Sequence, residues 1–291
     1  MTPGSFKPSG PFGWVGIGAV ALGGLIAEAA AEGRFTAPYS ILNPVPDDLL
    51  RPFSADRPNK TYSTTTIDVG RFQIESDFAN LIFDKSERTR TFSLGSPVLR
   101  FGITDNAEIQ IGANVFTRLK QGVTEEVTGE TFRGLGTSFI ASKINIFGND
   151  GGEQSLALVA AARLPTASRG IGPEHIEASL DMPFTTTIGL PDWHLTVQPH
   201  FSLLRNDLGT GYRGHYGVAA QLSYAISDTV TAGFEFSTYM WREIAYYSSS
   251  SVDLSLSWRV FENTQIDGAV YFGLDRETPA INPYIGITHR F

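Results

Sequence analysis

From Ile67 to Phe291, apolar and polar residues alternate with a period of two, in segments of about ten residues set apart by turn formers. In Val252–Val260, one side carries Val252, Leu254, Leu256, Trp258 and Val260, and the other Asp253, Ser255, Ser257 and Arg259. Ile176, Ala178, Leu180, Met182 and Phe184 oppose His175, Glu177, Ser179 and Asp181 in the same way. Ile109, Ile111, Ala113 and Val115 oppose Glu108, Gln110, Gly112 and Asn114. No helical period fits these stretches, so they predict strands.

The turn signals fall into two lengths. Short turns are expected at Thr104–Asn106, Gly148–Gly152, Leu190–Asp192, Ser227–Asp228 and Glu262–Asn263, all rich in residues that accept turn dihedrals. Longer connections are expected at Asp84–Glu87, Lys120–Thr131, Pro165–Pro173, Asn206–Arg213, Arg242–Ser250 and Asp275–Pro279. Five short turns and six longer loops join twelve strands. An all-β chain of this kind predicts a transmembrane up-and-down antiparallel β-barrel of about 12 strands, with short periplasmic turns, longer extracellular loops and both termini periplasmic. A soluble sandwich alternates too, but has no reason to sort its connections by length.

Ahead of the alternation, Lys7, the apolar run Trp14–Ile26 and the small residues Ala27–Ala31 read as a signal peptide over residues 1–31. Residues 32–66, with Pro58 and the Thr-rich stretch Thr61–Thr66, are poor strand formers and read as a periplasmic or lumen-inserted extension. Residues 67–291 are left for an outer-membrane barrel. Composition narrows the chemistry. With no cysteine among 291 residues, disulfides, thiolate metal centres and cysteine nucleophiles are excluded, and no cofactor or metal is expected. The formal charge of -8 argues against a nucleic-acid partner. The mean hydropathy of -0.06 argues against a bundle of membrane helices while permitting a barrel.

A cation facing lipid at the bilayer midplane costs about 2–4 kcal/mol, so the polar side of each strand is assigned to the lumen. Lumen-lining candidates are Arg71, Glu75, Asp77, Arg100, Glu108, Arg118, Lys143, Arg163, Glu177, Asp181, His200, Glu235, Asp253, Arg259 and Asp267, with His194 beside them. Phe116, Tyr239 and Tyr271 are the candidate inward rings for an aromatic solute. Phe147, Trp193, Tyr224 and Phe261 near short turns, and Tyr239, Trp241, Tyr246 and Tyr247 near a longer loop, suggest two interfacial girdles. The chain closes on Phe291, an aromatic end that resembles the assembly signal of outer-membrane barrels, although His289 stands where that signal usually has an apolar residue.

One block is more specific. Asp56-Arg57-Pro58, the Val69-Gly70 step and the strand start Phe72-Gln73-Ile74-Glu75 resemble the outer-membrane transporter family named for a meta-pathway of phenol degradation. That resemblance implies a barrel associated with uptake of aromatic compounds and transfers no binding residues.

The reading is therefore a porin-like channel or transporter, not an enzyme, passing small solutes, with phenol-type compounds suggested by the resemblance. Its partners would be outer-membrane lipid, the assembly machinery and the solute; the oligomeric state is left open. An outer-membrane lipid or ester hydrolase is the main rival, built on His200 and Ser202. Residues two apart on a strand lie about 7 Å apart with parallel side chains, a poor geometry for proton transfer. A structural or adhesive barrel is the third alternative, weakened by loops no longer than about a dozen residues.

Overall fold

The computed structural model describes residues 39–122, 129–190, 192–206, 211–243 and 245–291. The expected signal peptide, 1–31, lies outside the described residues.

Sixteen strands form one antiparallel sheet. The first eight are β1 (Phe72–Asp84), β2 (Thr89–Leu94), β3 (Val98–Thr104), β4 (Ala107–Ala113), β5 (Phe116–Lys120), β6 (Thr131–Gly134), β7 (Ser138–Phe147) and β8 (Gln154–Leu164). The rest are β9 (Glu177–Asp181), β10 (Phe184–Thr187), β11 (Trp193–Arg205), β12 (Tyr212–Ala225), β13 (Val230–Arg242), β14 (Tyr246–Phe261), β15 (Thr264–Gly273) and β16 (Ile281–Arg290). β2 and β3, β4 and β5, β6 and β7, and β9 and β10 are halves of interrupted staves, so the wall has twelve. β16 pairs with β1 and closes the barrel, leaving no open edge at the seam. At that seam Phe291 donates its backbone N–H to the Phe72 carbonyl at 3.0 Å and stacks on the Phe72 ring at 4.6 Å.

The packing is inverted relative to a soluble domain. Arg51, Arg100, Lys143, Glu108 and Glu235 are among the most buried side chains, while Leu254, Leu256 and Trp258 are exposed on the outside. Two stacked sheets would bury the apolar rows against each other; here they face outward all around a closed cylinder, as a lipid solvent requires.

Interruptions have two causes. At Met182–Pro183, Pro183 lacks an N–H, yet pairing resumes in the same register, with Asp181 opposite His200 and Thr185 opposite Thr196. Between β1 and β7 the change is larger. Around Phe78, Gly95–Pro97, Asn114–Val115 and Leu135–Thr137, four neighbouring staves each reverse which side faces inward. Because all four flip together, register is kept: Val98 opposes Gly112 below the break and Leu94 opposes Phe116 above it. This overturns the inward placement of Phe116 and Arg118. Thr117 is the buried residue, at 4% exposure and bonded to Ser93, whereas Phe116 is 36% exposed and faces out with Leu94. Arg118, two residues on from Phe116, shares that outward face.

Two boundaries also differ from expectation. The first strand begins at Phe72, because Ile67 to Arg71 still belong to the segment inside the barrel. The stretch 242–250, expected as a longer loop, is strand on both sides of residues 243–245.

Candidate functional site

Before reaching β1, the chain passes through the barrel interior. Arg51 marks its entry at the short-turn end, where the guanidinium reaches Asp68 (3.1 Å), Asp105 (2.7 Å) and Asp150 (2.8 Å). Asp105 and Asp150 sit in short turns, and Asp68 is the segment's own return, so one side chain pins both limbs to the rim. The Arg290 guanidinium donates to the Arg51 carbonyl at 2.7 Å from the last strand.

Further in, each residue of the segment is held by a different stave. The Asp56 carboxylate accepts from Lys143 and from Gln110 Nε2 (2.9 Å) and lies 3.5 Å from Arg100. Arg100 in turn is paired with Glu75 and Glu108, each at 2.8 Å. Arg57 spans the seam, donating to Asp77 and to Asp267 (2.9 Å). A Cβ on Gly286 would overlap that guanidinium, so the glycine is what lets Arg57 lie against the wall. Lys60 Nζ pairs with Asp253 at 3.0 Å, donates to Ser237 and Ser251, and lies 4.6 Å from the Tyr271 ring centroid. The backbone N–H groups of Lys60 and Thr61 donate to the two Glu235 oxygens at 3.0 and 2.9 Å, and that of Tyr62 to Gln198 at 2.7 Å. The return limb is held by Asn145 on the Thr64 carbonyl (2.9 Å) and by Glu108, which accepts from the Ile67 N–H (2.7 Å).

A strand-forming segment would satisfy its backbone on a neighbouring strand; this one, rich in Ser, Thr and Pro, satisfies it on wall side chains instead. Burial alone would lower the Arg57 pKa, but Asp267 and Asp77 more than offset it and hold the cation protonated. Burial pushes the Asp56 carboxyl up; Arg100 and Lys143 oppose the shift, and Glu75 and Glu108 add to it. Three carboxyls and two cations share that cluster.

On the long-loop side of the segment lies a cavity of about 350 Å³, lined by Arg163, Glu177, His200, Ser202, His215, Tyr239, Trp241 and Glu277 among others. Its wall on β11–β14 is aromatic. His215 stacks on Trp241 at 4.7 Å and Trp241 on Tyr247 at 5.7 Å, while His200 meets Tyr239 edge-on at 5.1 Å. His200 Nδ1 lies 2.7 Å from Asp181, so the nitrogen left for a solute is Nε2. His215 Nε2 accepts from Arg213 Nε at 3.0 Å, which fixes the His215 proton on Nδ1. Arg163 is paired with Glu177 at 3.2 Å. A volume in this range suits a small ligand, and a cavity of roughly 150 Å³ already holds benzene.

The sequence-derived candidates therefore separate into groups. Glu75, Asp77, Arg100, Glu108, Lys143, Glu235, Asp253 and Asp267 face inward and hold the inserted segment. Arg163, Glu177, His200 and Tyr239 line the cavity, with Asp181 behind His200. Tyr271 donates to the Pro58 carbonyl at 2.8 Å, so it serves the segment and not the cavity. Arg71 and Arg259 sit at the short-turn rim, bonded to Val45 and Asp47 and to the Asp228 carbonyl respectively. His194 lies 3.4 Å from Thr187 near the same rim. Phe116 and Arg118 are outside.

Trp241 and Tyr247, assigned to a girdle, face the interior beside His215; Tyr246 alone of that group projects fully outward, at 80% exposure. Alternation carried past Tyr239 would have found Trp241, and carried back from Gly217, which pairs with Tyr239 across β12 and β13, would have found His215. Arg51 and Lys60 carried no local signal, since their partners are far away in sequence. Ser202, the nucleophile considered for a hydrolase, lies opposite His215 in the β11–β12 pairing.

A family profile described as "Putative MetA-pathway of phenol degradation" matches residues 55–291. Among solved structures, the chain is similar to the COG4313 outer membrane channel from Pseudomonas putida F1, with a TM-score of 0.57 and 12% identity, covering 81% of this chain and 99% of that one. The NanC porin matches with a TM-score of 0.48 and 7% identity, over 75% of this chain and 98% of that one. An anion-selective porin from Comamonas acidovorans matches with a TM-score of 0.40 and 10% identity, over 76% and 98%. No curated protein matches in sequence.

Proposed function

The chain belongs to that phenol-degradation family, and from this premise we propose that it is an outer-membrane channel for small solutes, aromatic ones included. In this reading the short turns and both chain ends are periplasmic, and the longer loops face outward from the cell. The observation that carries the proposal is the division of the lumen: an aromatic-walled cavity of about 350 Å³ on one side, and on the other an ion-paired segment that leaves a smaller cavity of about 180 Å³ beside Asp56 and Arg57. A solute enters from the long-loop side and rests against His200, Tyr239 and Trp241, and passes when the inserted segment shifts. Stacking on Trp241 and Tyr239 favours a flat ring, and His200 Nε2 offers a hydrogen bond to a ring hydroxyl.

Reconstitution tests this reading. Purified protein in planar bilayers is expected to show small currents, and proteoliposomes are expected to admit phenol-sized aromatic solutes faster than saccharides of similar mass. Neither current nor flux, from the whole chain or from a chain lacking residues 39–66, would overturn it.

A further inference from the structure

The reversal of facing in β1–β7 places cations where alternation carried through without a break would have put them inside. Above the break, β2 turns Leu94, Phe92 and Arg90 outward, and β5 turns out Phe116, Arg118 and Lys120. Arg133 on β6 joins them. Arg90 is directly opposite Lys120, Phe92 opposite Arg118, and Arg118 opposite Arg133. Directly opposed residues on one face have Cβ atoms about 4.5–5.5 Å apart, and like charges so placed repel.

No ion pair within the described residues relieves this repulsion: the carboxylates of the barrel interior are taken by Arg51, Arg57, Lys60, Arg100 and Lys143. The four cations sit at the long-loop end, Lys120 closing β5 and Arg90 one residue into β2. Directly below them the same face is apolar, with Leu94, Phe116 and Leu135 exposed.

Four cations without an ion pair among the described residues, above an apolar band on a surface that meets lipid, match a polyanionic headgroup attached to acyl chains. We propose that Arg90, Arg118, Lys120 and Arg133 bind the phosphates of a phosphorylated glycolipid of the outer leaflet, the lipid A part of lipopolysaccharide, whose chains lie along Phe116 and Leu94. Arginine forks grip phosphate oxygens in pairs through their terminal nitrogens. Free phosphate would use the cations but leave the apolar band unused. The inference rests on the orientation proposed above, with the long loops outside.

The test uses the full chain refolded in neutral detergent and titrated with bisphosphorylated lipid A. Saturable binding is expected, abolished by removing the lipid phosphates and unaffected by equal inorganic phosphate. Arg118→Gln with Arg133→Gln is expected to weaken binding by roughly thirtyfold, while Arg259→Gln at the opposite rim leaves it unchanged. The boiled-versus-unboiled gel shift verifies that each variant is folded; if the double variant is not, Arg133→Gln alone is expected to lose several-fold. Equal binding by a folded variant, or competition by inorganic phosphate, overturns the site. Orientation is scored separately by an epitope placed in 274–280 on intact cells. An exposed epitope with no lipid A binding refutes the site, and a hidden epitope with intact binding refutes the orientation.

Discussion

The two halves of the lumen solve opposite problems with the same strands. Toward the short turns, Glu75, Asp77, Glu108, Asp253 and Asp267 are buried and matched by cations that include Arg57 and Lys60 of the inserted segment, while Glu235 is satisfied by that segment's backbone N–H groups. Toward the long loops, β11–β14 replace these carboxylates with His200, His215, Tyr239 and Trp241 around empty space. Closure is electrostatic and residue-specific. Under the proposed function, reception of a solute falls to the flat faces of Tyr239 and Trp241 and to His200. The difference teaches that retention of the segment and choice of solute can be altered independently.

The largest expected effect comes from removing the closed half outright. Deleting residues 39–66 is expected to raise single-channel conductance several-fold and to favour cations, because the wall carboxylates lose their partners; bilayer recordings at asymmetric salt measure both. Next is Arg57→Ala. It strands Asp77 and Asp267 in the interior, a loss of about 3–5 kcal/mol for a buried pair broken on one side. Long openings absent from the parent are expected, with Arg57→Lys restoring only part of the closure because an ammonium lacks the fork that reaches two staves. Gly286→Val leaves every charge in place but occupies the space of the Arg57 guanidinium. Its openings are expected to be fewer than those of Arg57→Ala, and parent-like traces would show that the close approach at Gly286 is unimportant. The smallest effect belongs to the cavity. Trp241→Ala removes ring stacking worth about 0.5–1.5 kcal/mol, so block of the current by an aromatic solute is expected to weaken by up to about tenfold, with salt conductance unchanged. A Trp241→Ala channel that opened like Arg57→Ala would erase the separation between the halves.

How much of this could be read from the sequence differs around the wall. On β11 to β15 the alternation is nearly unbroken over strands of ten to sixteen residues, so Glu235, Asp253 and Asp267 fall on the inner side by counting. On β2 to β7 the same counting fails past Gly95, Asn114 and Gly136, because a reversal of facing costs no register when neighbouring staves share it. Nothing local in Phe116-Thr117-Arg118 distinguishes the two outcomes; Ser93 and Gly134 across the sheet decide it. The inserted segment was visible as a stretch unfit for strand, and Asp56-Arg57-Pro58 as its conspicuous triplet. Its path was not, because it depends on charges contributed by distant staves, such as Asp267, 210 positions from Arg57, and Arg290, 239 positions from Arg51.

Only three residues separate Asp68, the last side chain of the segment tied to Arg51, from the start of β1 at Phe72. If the segment shifts as proposed, a stopper spliced this closely to the rim stays at high effective concentration, so its resealing would be a unimolecular event. However sparse the protein became in its membrane, each copy would then recapture its own stopper, with no separate molecule to find.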